Sequence, residues 1–330
     1  MEFETMWEGW MAELASHELD PVDCRHFGQD YVEKGWNPQV FHWGKGFVPT
    51  HLATVLRDQE FVDNLLGIAF ESDVPTAEFV ELKGKRFRIE RVQALSHLRA
   101  LANSAPTLDL EAINQIVEFG AGSGEMAALC FHLGFNGRYM IYDLPQMILS
   151  QRFWLRRAGL PAVLGASLDG DPFQHQSEGW LFLESKRSGF AKRLAVKAEN
   201  GQRFFRAFFG FYSFTEADEA SRARLRPFIE NFEVILLTYW QQFDAVDNLD
   251  YLEKWSSTLG KSHHLLSWSV ASDTWLDNWP LGYYFLALDK TLGELECVWE
   301  LNCRPSTVVP RLTSKHLYDA IRTSSRRQSR

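Results

Sequence analysis

Cysteine is scarce in this chain of 330 residues: Cys24, Cys130, Cys297 and Cys303 are the only four. They form no C-x-x-C pair and no zinc-like spacing, which argues against a metal knuckle and fits a reducing cytoplasm. Long apolar runs are missing too. No stretch reaches 18 apolar residues and no apolar run follows a basic start, so neither a membrane span nor a secretory leader is expected. Basic charge is short: 34 Lys and Arg against 43 Asp and Glu leave a formal net charge of −9. That balance argues against a nucleic-acid partner, whose phosphates call for a basic patch. No internal repeat is visible.

Aromatic residues are plentiful, with 12 Trp and 25 Phe. Trp7, Trp10, Trp36 and Trp43 cluster early, and Trp268, Trp275, Trp279 and Trp299 late. Each fits either core packing or the wall of an apolar pocket, where aromatic rings stack on sugar faces.

Along the chain, residues 1–105 read as a helical and aromatic segment serving as a lid or accessory piece. WNPQVFHWGKGFVP (36–49) is an aromatic loop, and 51–70 carries apolar residues at helical spacing. Val80–Ile89 reads as a hairpin around Lys83-Gly84, and Glu90–Asn103 as a helix. From 106 to 322, short apolar runs alternate with helical stretches, which predicts an α/β domain with a Rossmann-like, mostly parallel sheet. Strands are expected at Ile116–Phe119, Tyr139–Tyr142, Pro161–Ala166, Ala207–Tyr212, Val234–Tyr239, His264–Val270 and Tyr283–Leu288, the last two pairing antiparallel. Helices are expected at Glu125–Leu133, Gln146–Ala158, Thr215–Ile229 with Thr215 as cap, and Leu249–Leu259. Residues 168–206 break the rhythm and read as an insertion near a substrate mouth. Cys130, on the apolar face of its helix, reads as a buried thiol. The polar, basic stretch 323–330 reads as a disordered tail.

The segment IVEFGAGSGEMAALCFHLGFNGRYMIYDLPQM (116–147) carries the most chemistry. A strand leads into Gly120, Gly122 and Gly124, where backbone can approach a ligand with no Cβ in the way. A helix follows, then a second strand that stops at Asp143, whose carboxylate can accept from two ribose hydroxyls. The spacing is G-x-G-x-G, whereas a dinucleotide fingerprint is G-x-G-x-x-G. Glu118 before the turn and Glu125 after it disfavour a pyrophosphate, which seeks the positive end of a helix. A cationic nucleoside suits these charges better, and S-adenosyl-L-methionine, a sulfonium with an ammonium and no phosphate, is one. An ordinary glycine-rich strand-to-helix turn remains the plain alternative.

VEFGAGSGE (117–125) resembles motif I of class I S-adenosylmethionine-dependent methyltransferases. YDLPQM (142–147) resembles the Asp-Leu-Pro turn of small-molecule O-methyltransferases. FYSFTEADEASRARLRPFIENFEVILLTYWQQFDAVDN (211–248) is similar to the matching stretch of sugar O-methyltransferases from bacterial polysaccharide and natural-product clusters. The resemblance covers roughly residues 90–290 and implies methyl transfer to a hydroxyl of a sugar or sugar-containing small molecule.

Ligands of open α/β sheets bind outside the carboxyl ends of the strands. That rule selects Glu118, Gly120, Ala121, Gly122, Gly124, Asp143, Leu144, Ser167 and Tyr212 for the cofactor. It selects Ser213, Tyr239, Gln241 and Gln242 for the acceptor. A sugar hydroxyl is a weak nucleophile, so a general base is expected. Glu216, just past the fourth strand, is the first candidate, although a carboxylate in a first helical turn also suits the helix dipole. His264, with His263 beside it, is the second. His132 reads as structural, and His175 as able to reach the site only if its loop folds inward. Asp244, Asp247 and Asn248 with Glu216 have the donor types for a divalent ion, but helix capping by Asn248 explains them more simply, and no metal is expected. The rivals are an O-methyltransferase of phenolic natural products, an NAD(P)-dependent reductase, and a non-catalytic nucleotide-binding protein. The expected partners are a small-molecule or saccharide acceptor, with no nucleic acid and no membrane, and self-association is left open.

Overall fold

The structure is a computed structural model. It describes most of residues 79–165, then 179–184, 205–269 and 282–292, with short gaps among them. The described residues fall in two compact units, one holding 79–104 and the other 105–269 and 282–292. In the first, β1 (Phe79–Leu82) and β2 (Lys85–Arg88) form the expected antiparallel hairpin, which leads into α1 (Ile89–Ser104).

The second unit is built on β3 (Ile113–Phe119), α2 (Glu125–His132), β4 (Arg138–Asp143), β5 (Ala162–Gly165), β6 (Gly179–Glu184) and β7 (Phe205–Phe211). It continues through α3 (Ser213–Glu216), α4 (Glu219–Ile229), β8 (Val234–Tyr239), β9 (Gln242–Phe243), β10 (Val246–Asp247), α5 (Asn248–Leu259), β11 (His263–Ser269) and β12 (Tyr283–Asp289). Between β4 and β5, the described residues of 147–156 are helical. Eight strands make one sheet in the order β11-β12-β8-β7-β3-β4-β6-β5. The architecture is α/β, and its centre, β8-β7-β3-β4, is parallel. Six strands run one way; only β6 and β12 oppose them. Central strands covered on both faces need continuous apolar runs, and β8 is buried at all six positions.

Helix α2 ends as its sequence directs. Gly134 adopts φ 96°, and the Phe135 amide donates to the Cys130 carbonyl at 2.9 Å, the six-to-one bond that lets glycine close a helix. Cys130 is a buried free thiol, and burial pushes its pKa up. The stretch expected as helix Thr215–Ile229 is instead two helices. Ala217 is extended between them, and Asp218 caps α4 by accepting from the Ser221 amide. Thr215 is buried and donates its hydroxyl to the Tyr212 carbonyl at 2.7 Å. Asp247, not Asn248, caps α5.

The largest departure lies at 168–206. Within this stretch, read from sequence as an insertion, Gly179–Glu184 form a strand of the sheet, antiparallel to β4 on one side and to β5 on the other. Strand β5 follows β6 at the end of the sheet order. The helix expected at 51–70, the aromatic loop at 36–49, Leu144, Ser167, His175, Asp244 and the tail lie outside the described residues.

Candidate functional site

Strand β4 lies on one side of β3 and β7 on the other, so the connections after these strands part at their carboxyl ends. Such a switch point is where an open α/β sheet offers a crevice. At this switch point stands the glycine turn. Gly120, Gly122 and Gly124 have φ of 67°, 54° and 78°, in the left-handed region that favours glycine. Their surroundings differ. A Cβ on Gly120 would lie 2.2 Å from the Ser213 Cβ, so the fold itself demands glycine there. A Cβ on Gly124 would press on Leu155 at 3.2 Å. A Cβ on Gly122 would meet nothing within 4 Å. Gly122 alone of the three faces open space.

Asp143 ends β4 next to this turn, and one side chain joins the two. Gln151 donates through Nε2 to the Gly122 carbonyl at 2.9 Å and to Asp143 Oδ2 at 2.6 Å. Sequence reasoning missed Gln151; an amide eight residues past an acidic turn carries no motif.

Glu118 alters the charge argument. It is buried and accepts from the Tyr139 hydroxyl at 2.8 Å. Burial raises its pKa to about 8, the Tyr139 bond pulls the other way, and nearby Asp143 adds to the rise. Burial thus favours its protonated form and works against the standing negative charge expected.

The other wall stands on β7 and β8. Tyr212 is the one non-glycine residue with positive φ among those described, at φ 65° and ψ −47°. Such a conformation costs about 1–3 kcal/mol and persists only where neighbours impose it. Here the Tyr212 amide donates to the Thr238 carbonyl at 3.0 Å, and the ring stacks on Trp240 at 4.7 Å. Tyr212, expected to touch the cofactor, is buried. Ser213, expected at the acceptor, spends its hydroxyl on the Phe119 carbonyl and sits over Gly120.

Glu216 accepts from the Trp240 indole N–H at 3.2 Å. Burial raises its pKa to about 7, with the Trp240 bond opposing the rise. The helix-dipole explanation weakens, because α3 is a single turn of four residues and has little dipole. Trp240 is itself anchored. Asn248 Nδ2 donates to its carbonyl at 3.0 Å, and buried Arg222 donates to Asn248 Oδ1 at 2.8 Å. Farther out, Tyr239 is buried, hydrogen-bonded to Ser267 at 3.0 Å and stacked on Tyr283 at 5.3 Å. Gln241 is exposed and donates to the Tyr283 hydroxyl, and Gln242 is exposed on β9.

His264 and His263, expected near the mouth, stand at the other end of the sheet. His264 pairs with Leu288, which pairs with Val234 at the start of β8. They therefore lie at the amino end of the sheet, roughly 17 Å along the strands from Tyr239 at about 3.3 Å per residue. His263 is buried, with its ring nitrogens engaged by Ser262 at 2.8 Å and the Phe232 carbonyl at 2.9 Å. Both imidazoles are too far away to take a proton at the crevice. Among the described residues, no cluster of His, Cys, Asp and Glu is placed to hold a metal, and no helix is long and apolar enough to cross a membrane.

No family model and no curated protein matches the chain. Among solved structures it is similar to precorrin-6y C5,15-methyltransferase from Geobacter metallireducens, at 16% identity over 67% of this chain and 99% of that one, with a TM-score of 0.33. It is also similar to the methyltransferase domain of bacterial CtHen1-C, at 8% identity over 61% and 97%, with a TM-score of 0.34. A third is the DszA carbon methyltransferase, at 16% identity over 59% and 52%, with a TM-score of 0.30. At these identities and scores the reading of function rests on the residues of the crevice.

Proposed function

We propose that this chain is an S-adenosyl-L-methionine-dependent O-methyltransferase whose acceptor is a hydroxyl of a sugar or sugar-containing small molecule. The observation that carries the reading is the open space at Gly122, on a turn of three left-handed glycines, with Asp143 tied beside it. A nucleoside without phosphates fits this cradle. Its ribose hydroxyls can donate to Asp143, and its backbone can lie on the turn where no Cβ intrudes. The cofactor supplies a methyl group already activated by its sulfonium.

The protein's task is then to align the acceptor oxygen and exclude water. Glu216 stands across the crevice at the carboxyl end of β7. Trp240 fixes one oxygen of its carboxylate, and burial sets its pKa near 7, where a base is half-ionised and still a fair proton acceptor. Glu216 takes the hydroxyl proton as the oxygen attacks. Exposed Gln241 and Gln242 supply amides suited to sugar hydroxyls. The sugar itself comes from the resemblance of residues 211–248. A phenolic acceptor would need less help from a base, and a half-buried Glu216 held by Trp240 favours the alcohol.

Calorimetric titration tests the reading. S-adenosylhomocysteine should bind and NADH should not. Binding of NADH alone would turn the assignment to a reductase. Binding of S-adenosylhomocysteine followed by no turnover across nucleotide-sugars, glycosides and phenols would leave a nucleoside-binding protein.

A further inference from the structure

We propose that Gln151 is a positioning residue of the cofactor site, holding the Asp143 carboxylate and the Gly122 carbonyl in one geometry. The inference rests on reading that crevice as the S-adenosylmethionine site. Gln151 is fully buried. Its partners come from two separate connections, one 29 residues away and the other 8. Both are acceptors, so only the amide nitrogen, with its two hydrogens, can serve both. That fixes which way the amide faces. It also leaves Oε1 buried with no donor among the described residues. A buried carbonyl in that state calls for a donor, and a ribose hydroxyl can supply one.

The placement has two effects. Asp143 Oδ2 accepts from Gln151, so the carboxylate cannot rotate freely. The Gly122 carbonyl is turned toward Gln151, which orients the peptide at the one glycine of the turn facing open space. Packing alone would not require an amide here, since an apolar side chain of equal length would fill the same volume.

The experiment uses the full chain and compares S-adenosylhomocysteine with its analogue lacking both ribose hydroxyls. Gln151→Met keeps length and removes both donors. It should weaken S-adenosylhomocysteine by about 10- to 100-fold, the range for lost bonds to a charged group. The analogue should lose only about twofold, because the Asp143 contact is already gone. Equal losses for the two ligands would mean general damage to the fold and would overturn the proposal, as would no loss at all. Gln151→Glu provides a second route should the methionine variant not fold. A carboxyl there donates only when protonated, and burial beside the Asp143 carboxylate raises its pKa above the ordinary value, so its binding of S-adenosylhomocysteine should recover as pH falls from about 8 toward about 5 while the wild type changes less. Lack of recovery counts against the proposal. Wild-type protein that binds neither ligand would overturn the cofactor reading and this inference together. Wild-type binding with an undiminished Gln151→Met would overturn this inference alone.

Discussion

The two walls of the crevice are made by different means. On the β3–β4 side the shape is in the backbone: three glycines take left-handed conformations that cost them little. On the β7–β8 side the one left-handed residue is a tyrosine, and side chains hold it there. Tyr212 is stacked on Trp240, and Trp240 is tied through Asn248 to Arg222 on α4. The first wall depends on what is absent from a few adjacent positions. The second depends on contacts among residues 212 to 248, so damage remote from the crevice can reach it.

The widest separation between the walls should come from Glu216→Gln. We expect kcat to fall by about 10²- to 10⁴-fold, as for a lost general base, with S-adenosylhomocysteine affinity and melting temperature kept. Wild-type kcat should rise with pH through about 7, the value to which burial lifts this carboxyl, and the variant should lose that rise. Unchanged turnover at saturating acceptor would remove Glu216 from the chemistry.

Asp143→Ala breaks the opposite wall. Calorimetry should show S-adenosylhomocysteine weakened by about 1.5–3 kcal/mol, the cost of lost charged hydrogen bonds, with the acceptor side intact. Wild-type affinity in this variant would sink the ribose assignment.

Glu118 allows a test by pH. Its folded pKa of about 8 lies above its ordinary 4.5, so the folded state holds a proton that the unfolded state releases. Its contribution to stability is therefore full below about pH 4.5 and is lost as pH rises toward about 8. The slope from one such group is at most about 1.4 kcal/mol per pH unit. Chemical denaturation of Glu118→Gln should show a flatter decline than wild type across that window. Parallel slopes would mean that the carboxyl is ionised in the fold.

The smallest effect is expected at Gly122. Gly122→Ala meets no atom and should cost folding only about 1–2 kcal/mol of left-handed strain, while reducing cofactor affinity by more. Gly120→Ala, which strikes Ser213, should lower the melting temperature further. A Gly122→Ala variant with wild-type affinity would show that the turn does not cradle the ligand.

The sequence exposed the first wall better than the second for a physical reason. Buried parallel strands and glycine turns leave local marks, and β3, α2, β4 and β8 stand within a few residues of where periodicity puts them. Contacts between distant residues leave none. The anchoring of Trp240 by Asn248 and the bridge from Gln151 are of that kind. His264 misled because a strand's sequence does not say which end faces the ligand; the antiparallel β12 decides that. Residues 179–184 misled because an insertion between recognised elements gives no sign that it will enter the sheet.

The order of strands also bears on how the chain reaches this state. Both flanks, β5 with β6 and β11 with β12, pair segments near each other in sequence. The centre joins Ser213 to Phe119 across 94 residues. Closing so long a loop is slow relative to closing short ones. The flanks are thus expected to form early and the β3–β7 seam late, an order that pulsed hydrogen exchange would reveal in the protection of their amides. The crevice sits on that seam. A chain still emerging from the ribosome cannot complete both walls until β7 has docked, so an acceptor-side ligand added during refolding should act on the final step and leave the earlier ones untouched.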